Sequence, residues 1–492
     1  MRIATWRSIA AALIPLSIAG CMTVGPNYHR PDVPVASAWK EQPPWRVADP
    51  KDSLPKGEWW KIFGDAELDR YEAQAIQANQ TLEVARNQLD QARASVQITQ
   101  SGLFPQLSTG VNAARTRISA NEPTITGLPL ANPSTQNNFI VPFNISWEAD
   151  LFGGVRRSVE SSNALYQSSA ANLENVRLVV TSELAADYFS LRELDAEIAV
   201  VDDAVQYQQR ALALVNNRHD GGVASGLDVA QQETQLNATR TQATLLHQQR
   251  AQFEHAIAAL VGVPASSFSV PVKPLTLSPP EIPLGLPSDV LERRPDVAQA
   301  ERQMASQNAQ IGVVKAAYYP GINLFTSGGV QSADLGLLLN APSALWALGA
   351  NVSQTLLSGG RRQAQLNFAQ SGYTASVASY RQTVLTAFQQ VEDGISGLNV
   401  LSQAAQSQQQ TVDAAQRALN IANDRYVGGL VTYLDVITAE QVLLDNKRLA
   451  TQILGQRLTT SVSLVKALGG GWDAASLQAV HVKTTPGQAL QP

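Results

Sequence analysis

Two periods alternate along the chain, and the alternation occurs twice. From Ala66 to Ser101 there is neither Gly nor Pro, and Leu82, Ala85, Leu89, Ala92 and Val96 recur at three- and four-residue spacing. That is the seam of a coiled coil, and its alanines let helices approach closely. Phe104-Pro105 ends the helix, because the residue before proline disfavours helical backbone. The period then falls to two. Phe139, Val141, Phe143, Ile145, Trp147, Ala149 and Leu151 alternate with Ile140, Pro142, Asn144, Ser146, Glu148 and Asp150. Such alternation gives a strand one apolar and one mostly polar face. Residues 107–117 read as its partner strand, and residues 119–138, with Pro123, Gly127, Pro129 and Pro133, as a long polar loop.

Leu151-Phe152-Gly153-Gly154 closes the hairpin, and no Gly or Pro follows until Gly221. As one helix, Val155 to Asp220 would run roughly 100 Å, and Glu183, Arg192, Glu193, Asp195, Asp202 and Asp203 exclude a lipid-buried helix. A second helix is predicted from Leu227 to about Val261. After the Pro-rich residues 264–286 the order recurs: a helix from Pro295 to Tyr319, strands at 322–330 and 344–356, then Leu357-Ser358-Gly359-Gly360. A Pro-free stretch runs to Val427, and a last helix ends at Ala467-Leu468-Gly469-Gly470. Arg218-His219-Asp220-Gly221-Gly222…Leu227-Asp228-Val229 and Arg425-Tyr426-Val427-Gly428-Gly429…Leu434-Asp435-Val436 match at an offset of about 207 residues. Each reads as a sharp reversal between antiparallel helices: the Gly pair supplies positive φ and the Asp sits in the first turn of the next helix.

The expected fold is therefore mainly α with a membrane β-barrel, built from an internally duplicated unit of helix, two strands, long helix, turn and helix. The segments are a leader at 1–20, an extended strap at 21–64, repeat 1 at 65–263, a linker at 264–286, repeat 2 at 287–470 and a tail at 471–492. Strands of about ten residues with a long loop on one side have the pattern of a transmembrane barrel hairpin. A half-buried hairpin of a soluble sheet would alternate in the same way.

The leader changes the picture further. Arg2 and Arg7 precede an apolar run, Ile9 to Ile18, too short to span a membrane as a helix. Ile18-Ala19-Gly20-Cys21 resembles a bacterial lipoprotein signal, with Cys21 becoming the lipidated terminus. Met22 in place of an Asp implies the outer membrane, facing the periplasm. Cys21 is the single Cys, so no internal disulfide forms. A net charge of −5 is too mild for a nucleic-acid partner. The 44% hydrophobic and 6% aromatic composition suits long Ala-rich helices. The chain contains no apolar run of about 18 residues, so any membrane crossing must use strands.

Four strands are too few to close a barrel, and hydrocarbon tolerates no open sheet edge. A barrel must then be shared: two chains would supply eight strands, three would supply twelve. The small-residue helix seams also need partners, and a ring of antiparallel helices continuing the barrel answers both requirements.

The chain resembles an outer membrane factor of the TolC/OprM/NodT class, the exit duct of tripartite efflux and secretion systems. The resemblance rests on Ile18-Ala19-Gly20-Cys21, Trp60 to Leu68, Trp147-Glu148-Ala149-Asp150-Leu151-Phe152-Gly153, both double-Gly turns, Ala467 to Trp472, and above all Gly285-Leu286-Pro287-Ser288-Asp289-Val290-Leu291-Glu292-Arg293-Arg294-Pro295-Asp296. It covers nearly the whole mature chain. It implies a homotrimer with a twelve-stranded barrel in the outer membrane of a Gram-negative bacterium, a long helical barrel and a mixed equatorial region. It also implies docking to a periplasmic adaptor (membrane fusion protein) and, through it, an inner-membrane efflux pump. Small molecules such as drugs would pass through passively, and no cofactor is expected beyond the lipid on Cys21.

The resemblance further places an aperture at the periplasmic taper, for which Asp424, Arg425, Asp220 and Arg218 are the candidates. Three symmetry-related carboxylates about an axis would repel one another and attract cations. Gly221, Gly222, Leu227, Asp228, Val229, Gly428, Gly429, Leu434, Asp435 and Val436 are candidates for adaptor contact, with local helix capping and packing the plainer alternative for the two Asp. The expectation is no enzyme: the five His are scattered, and His247 and His255 lie roughly 12 Å apart along a helix, too far to share a metal. A non-pore periplasmic lipoprotein, an adaptor or scaffold, is the alternative. It explains the helices and Cys21 but not strands placed alike in both repeats.

Overall fold

The computed structural model describes residues 23–32, 39–40, 57–117, 119, 135–275, 277–282 and 293–471. The leader, Cys21, most of the Pro-rich strap, residues 120–134 of the loop, the greater part of the Gly285–Asp296 run and the tail from Trp472 lie outside the described residues.

The helix expected over 66–101 is divided into α1 (Ala66–Ala78) and α2 (Gln80–Ser101). Neither Gly nor Pro breaks it. Asn79 takes extended backbone, its side-chain oxygen accepts from the Thr81 and Leu82 amides, and its Nδ2 donates to the Leu260 carbonyl at 2.9 Å. Asn offers the backbone a local alternative to helix, and here it caps α2 while binding a distant chain end. Asp65 caps α1 by accepting from the Glu67 and Leu68 amides.

The expected strand at 107–117 is likewise split, into β1 (Gln106–Thr109) and β2 (Asn112–Arg117), both antiparallel to β3 (Thr135–Glu148). The gap at Gly110–Val111 faces Val141–Pro142 in the register. Pro142 has no N–H to donate, so the ladder lapses there, and the Thr109 hydroxyl donates to its carbonyl instead, at 3.0 Å. β3 stops before the expected Leu151 because the Asp150 carboxylate turns to accept from the Val155 and Arg156 amides of the next helix. β4 (Gly321–Ser332) pairs with β3, and β5 (Ala344–Ser353) with β4. Among the described residues these strands form one antiparallel sheet whose outer edges, β1/β2 and β5, have no partner. Register puts Leu107, Phe143, Ile145, Trp346, Leu348 and Val352 on one face, and all six are exposed in the single chain.

The remaining helices are α3 (Gly154–Asp220), α4 (Gly226–Leu260), α5 (Pro295–Ala316), α6 (Arg361–Val427) and α7 (Tyr433–Ala467). α3 and α6 have 67 residues each, α4 and α7 have 35 each. α3 packs on α2, α4, α5 and α7, and α6 packs on α5 and α7. Among the described residues no helix is long and apolar enough to cross a membrane.

The main core lies at mid-height. Trp59, Trp60 and Phe63, in a short 3-10 turn, pack with Leu68, Tyr71, Leu184, Tyr188 and Phe189. Beside them the Arg192 guanidinium donates to Asp195, Glu67 and the Pro271 carbonyl, and Arg250 donates to Asp195 and the Val270 carbonyl. This buried network fixes the linker that follows α4 against α3. The described part of the strap crosses three helices. The Val24 amide donates to Phe152, Arg157 of α3 donates to the Val24 and Gly25 carbonyls, Tyr28 to Glu301 of α5, and Arg30 to Tyr380 of α6.

Candidate functional site

The paired reversals form the end of the helical part farthest from the sheet. In the first, the Gly222 amide donates to His219 O and the Val223 amide to Arg218 O. In the second, the Gly429 amide donates to Tyr426 O and the Leu430 amide to Arg425 O. Only the second Gly of each pair needs positive φ: Gly222 has φ 74 and Gly429 φ 75, whereas Gly221 (φ −78) and Gly428 (φ −75) hold ordinary backbone. Ser225 and Thr432 then open α4 and α7 with capping boxes. Asp228 and Asp435 complete them by accepting from the backbone amides of Ser225 and Thr432 at 3.0 Å each.

The aperture candidates separate. Arg218 stacks over the Tyr426 ring at 4.8 Å, so it ties the first turn to the second. Asp424, Arg425 and Asp220 are exposed and, among the described residues, their side chains make no hydrogen bond or ion pair. The adaptor candidates separate too. Leu227 and Leu434 are exposed, with the unforeseen Val223 and Leu430 beside them in the turns. Val229 is half-buried. Val436 is a core residue: it is buried with Val215, Ala415, Leu419, Tyr426, Tyr433 and Leu443. It therefore presents nothing outward, and the carboxylates of Asp228 and Asp435 are committed to capping.

Sequence reasoning missed the polar layer beneath the turns, to which all four long helices contribute. The Tyr433 hydroxyl donates to Gln232 at 2.9 Å, Gln232 donates to the Gln208 carbonyl at 3.0 Å, and Asn423 donates to the Tyr207 hydroxyl at 2.8 Å. Tyr426 and Tyr433 pack with ring centroids 4.9 Å apart. Burial raises the pKa of both phenols, so both stay neutral. A visible signal was the mismatch between copies: Tyr426 aligns with His219 and Tyr433 with Gly226. A cleft of about 540 Å³ at the junction of sheet and helices, lined by Asp150, Phe152, Tyr319 and Arg362 among others, holds none of the candidates. Among the described residues no group of His, Cys, Asp and Glu is placed to hold a metal.

A long helical body ending in two linked hairpins, with an edge-open sheet at its other end, defines a class that the comparisons name. The outer membrane efflux protein family matches residues 73–263 and 286–470, and the chain belongs to that family. It is 29% identical over 474 residues to the probable efflux pump outer membrane protein TtgC of Pseudomonas putida, covering 94% of this chain and 95% of that protein. It is 30% identical over 463 residues to the pyoverdine export outer membrane protein OpmQ of Pseudomonas aeruginosa, covering 93% and 96%. Its fold matches the outer-membrane channel OprN with a TM-score of 0.84 at 27% identity, over 92% of this chain and 99% of that one. The Campylobacter jejuni CmeC outer membrane channel shares the fold at a TM-score of 0.85 and 23% identity, over 92% and 96%. The protein is an outer membrane component of an efflux system, located in the outer membrane of a Gram-negative bacterium.

Proposed function

We propose that three copies of this chain form one passive duct. Each contributes four strand positions, counting β1 and β2 as one interrupted strand, to a closed twelve-stranded barrel, and its four long helices to a tube below. The observation that carries this reading is the sheet, with two unpaired edges and one apolar face in a single chain. In a bilayer such edges need partners, and lipid suits the apolar face. The matched lengths of α3 with α6 and of α4 with α7 support a duplicated unit. Cys21 is the proposed lipid anchor, and no catalysis or cofactor is assigned.

At the far end the hairpins α3–α4 and α6–α7 are held to each other by Arg218 on Tyr426 and by Asn423 on Tyr207. We assign these contacts the task of keeping the tube narrow. Asp424, Arg425 and Asp220, without a side-chain partner among the described residues, are left to face other copies. The exposed Leu227, Leu434, Val223 and Leu430 form the apolar patch offered to a periplasmic adaptor, which links the duct to an inner-membrane pump. The names of the relatives, an efflux pump component and a pyoverdine exporter, support small-molecule cargo. Light scattering of the detergent-extracted protein, corrected for detergent, tests the assembly. A mass of three chains is expected, and a stable folded single chain would overturn the shared barrel.

A further inference from the structure

The contact between α3 and α7 joins the two hairpins below the tip, and its charges do not balance. Glu440 of α7 is buried, and neither carboxyl oxygen has a hydrogen-bond partner among the described residues. Its charge acts on the Tyr207 phenol of α3, itself bound by Asn423 of α6, and on Tyr433 of its own helix. Arg210 acts on Tyr207 electrostatically but makes no ion pair with Glu440. The Oε1 atom of Gln208, also buried on α3, lacks a partner as well.

Further from the tip, Glu193 and Glu197 stand one turn apart on α3, close enough that the charge of one raises the proton affinity of the other. Opposite them on α7 are Arg448, whose guanidinium donates to Glu197 at 2.7 Å, Gln452, which donates to the same oxygen, and Gly455. A Cβ at Gly455 would overlap the Glu193 side chain, so the glycine lets α7 close down on it. Gln242 of α4, with its amide oxygen turned toward Arg448, shares that guanidinium. Among the described residues, the Arg448 guanidinium thus serves Glu197 and Glu193, and no cation pairs with Glu440.

We infer that the α3–α7 seam is a proton-dependent joint, which packs with Glu440 and one member of the Glu193–Glu197 pair neutral and loosens when they release their protons to water. Burial pushes Glu440 from the ordinary 4.5 to about 7. Burial, and then the neighbouring Glu197, push Glu193 to about 7, against the pull of Arg448. The sign follows. A proton affinity higher in the packed seam than in water favours packing fully below 4.5, and that support is lost as pH rises through about 7. The inference rests on the duct reading only for its effect on conduction.

Hydrogen–deuterium exchange of the full chain in detergent, at pH 5 and pH 8 and corrected for intrinsic rates, is the test. Each unit of pKa difference changes the packed-to-loose ratio about tenfold, so protection of residues 433–455 should fall at least about tenfold at pH 8. α2 serves as the internal control. Glu440→Gln with Glu193→Gln should abolish the pH dependence, and Glu440→Leu should reduce it should the double variant fail to assemble. Equal protection at both pH values in the wild type, or unchanged pH dependence in the variants, overturns the joint. Planar-bilayer conductance and the light-scattering mass judge the duct separately. A proton-dependent seam in a trimer whose conductance ignores pH sustains the joint and removes only its role in conduction.

Discussion

The two tip turns share a backbone and differ in what they bury. Both end a long helix with the same pair of amide-to-carbonyl bonds, both place positive φ on the second Gly, and both restart with a capping box. Yet the second carries Tyr426 and Tyr433 where the first has His219 and Gly226, and the first sends Arg218 across to Tyr426. One copy supplies a cation and the other an aromatic floor. The shared double-Gly motif thus sets where the chain turns, and the residues that differ set how one turn holds the other.

The contrast can be broken most strongly at the floor. Tyr433→Ala removes a buried ring and its bond to Gln232, and is expected to cost about 3–5 kcal/mol locally. His219→Ala, at the exposed equivalent of Tyr426, should stay within about 0.5 kcal/mol. Limited proteolysis at the turns, read as a cleavage rate, should separate the two. Next come the glycines. Gly429→Ala forces a Cβ into left-handed backbone and should cost about 1–2 kcal/mol, while Gly428→Ala should be neutral or stabilise by about 0.5 kcal/mol. Equal thermal shifts for the two would show that the turn does not depend on the second Gly. The caps should respond alike, with Ser225→Ala and Thr432→Ala each losing about 1 kcal/mol of local stability, measurable by hydrogen exchange in the first turns of α4 and α7. Smallest is the link itself. Arg218→Ala should lose about 0.5–1 kcal/mol and raise basal bilayer conductance, whereas Arg425→Ala should leave tip protection unchanged.

Most elements were legible because their signals are local. Phe104-Pro105, Gly153-Gly154 and the two double-Gly turns punctuate the chain, and period two versus three-four spacing distinguishes strand from helix. What escaped notice depends on partners far along the chain. Asn79 breaks a helix by reaching Leu260, Pro142 interrupts a strand that lies opposite it, and Asp150 ends its own strand by capping α3. At the tip the double-Gly motifs mark two helix reversals, and both are there. The burial of Val436, two positions from exposed Leu434, was not legible because it is decided by Val215 and Leu419 on other helices. Glu440 could not be singled out, since one Glu in an amphipathic helix looks like any solvated charge until its surroundings are known.

The strap has a consequence for the order of folding. Its residues precede helices α1 to α7 in the chain, but Tyr28 docks on Glu301, Arg30 on Tyr380 and Lys40 on Glu392, partners separated from them by 273, 350 and 352 positions. Contacts of such sequence separation form only after the intervening chain is in place. The strap must therefore be seated late, once α3, α5 and α6 lie side by side, and its bonds are absent while the helices assemble. Loosening it should speed unfolding and leave the folding rate nearly unchanged, so the strap acts as a latch on lifetime.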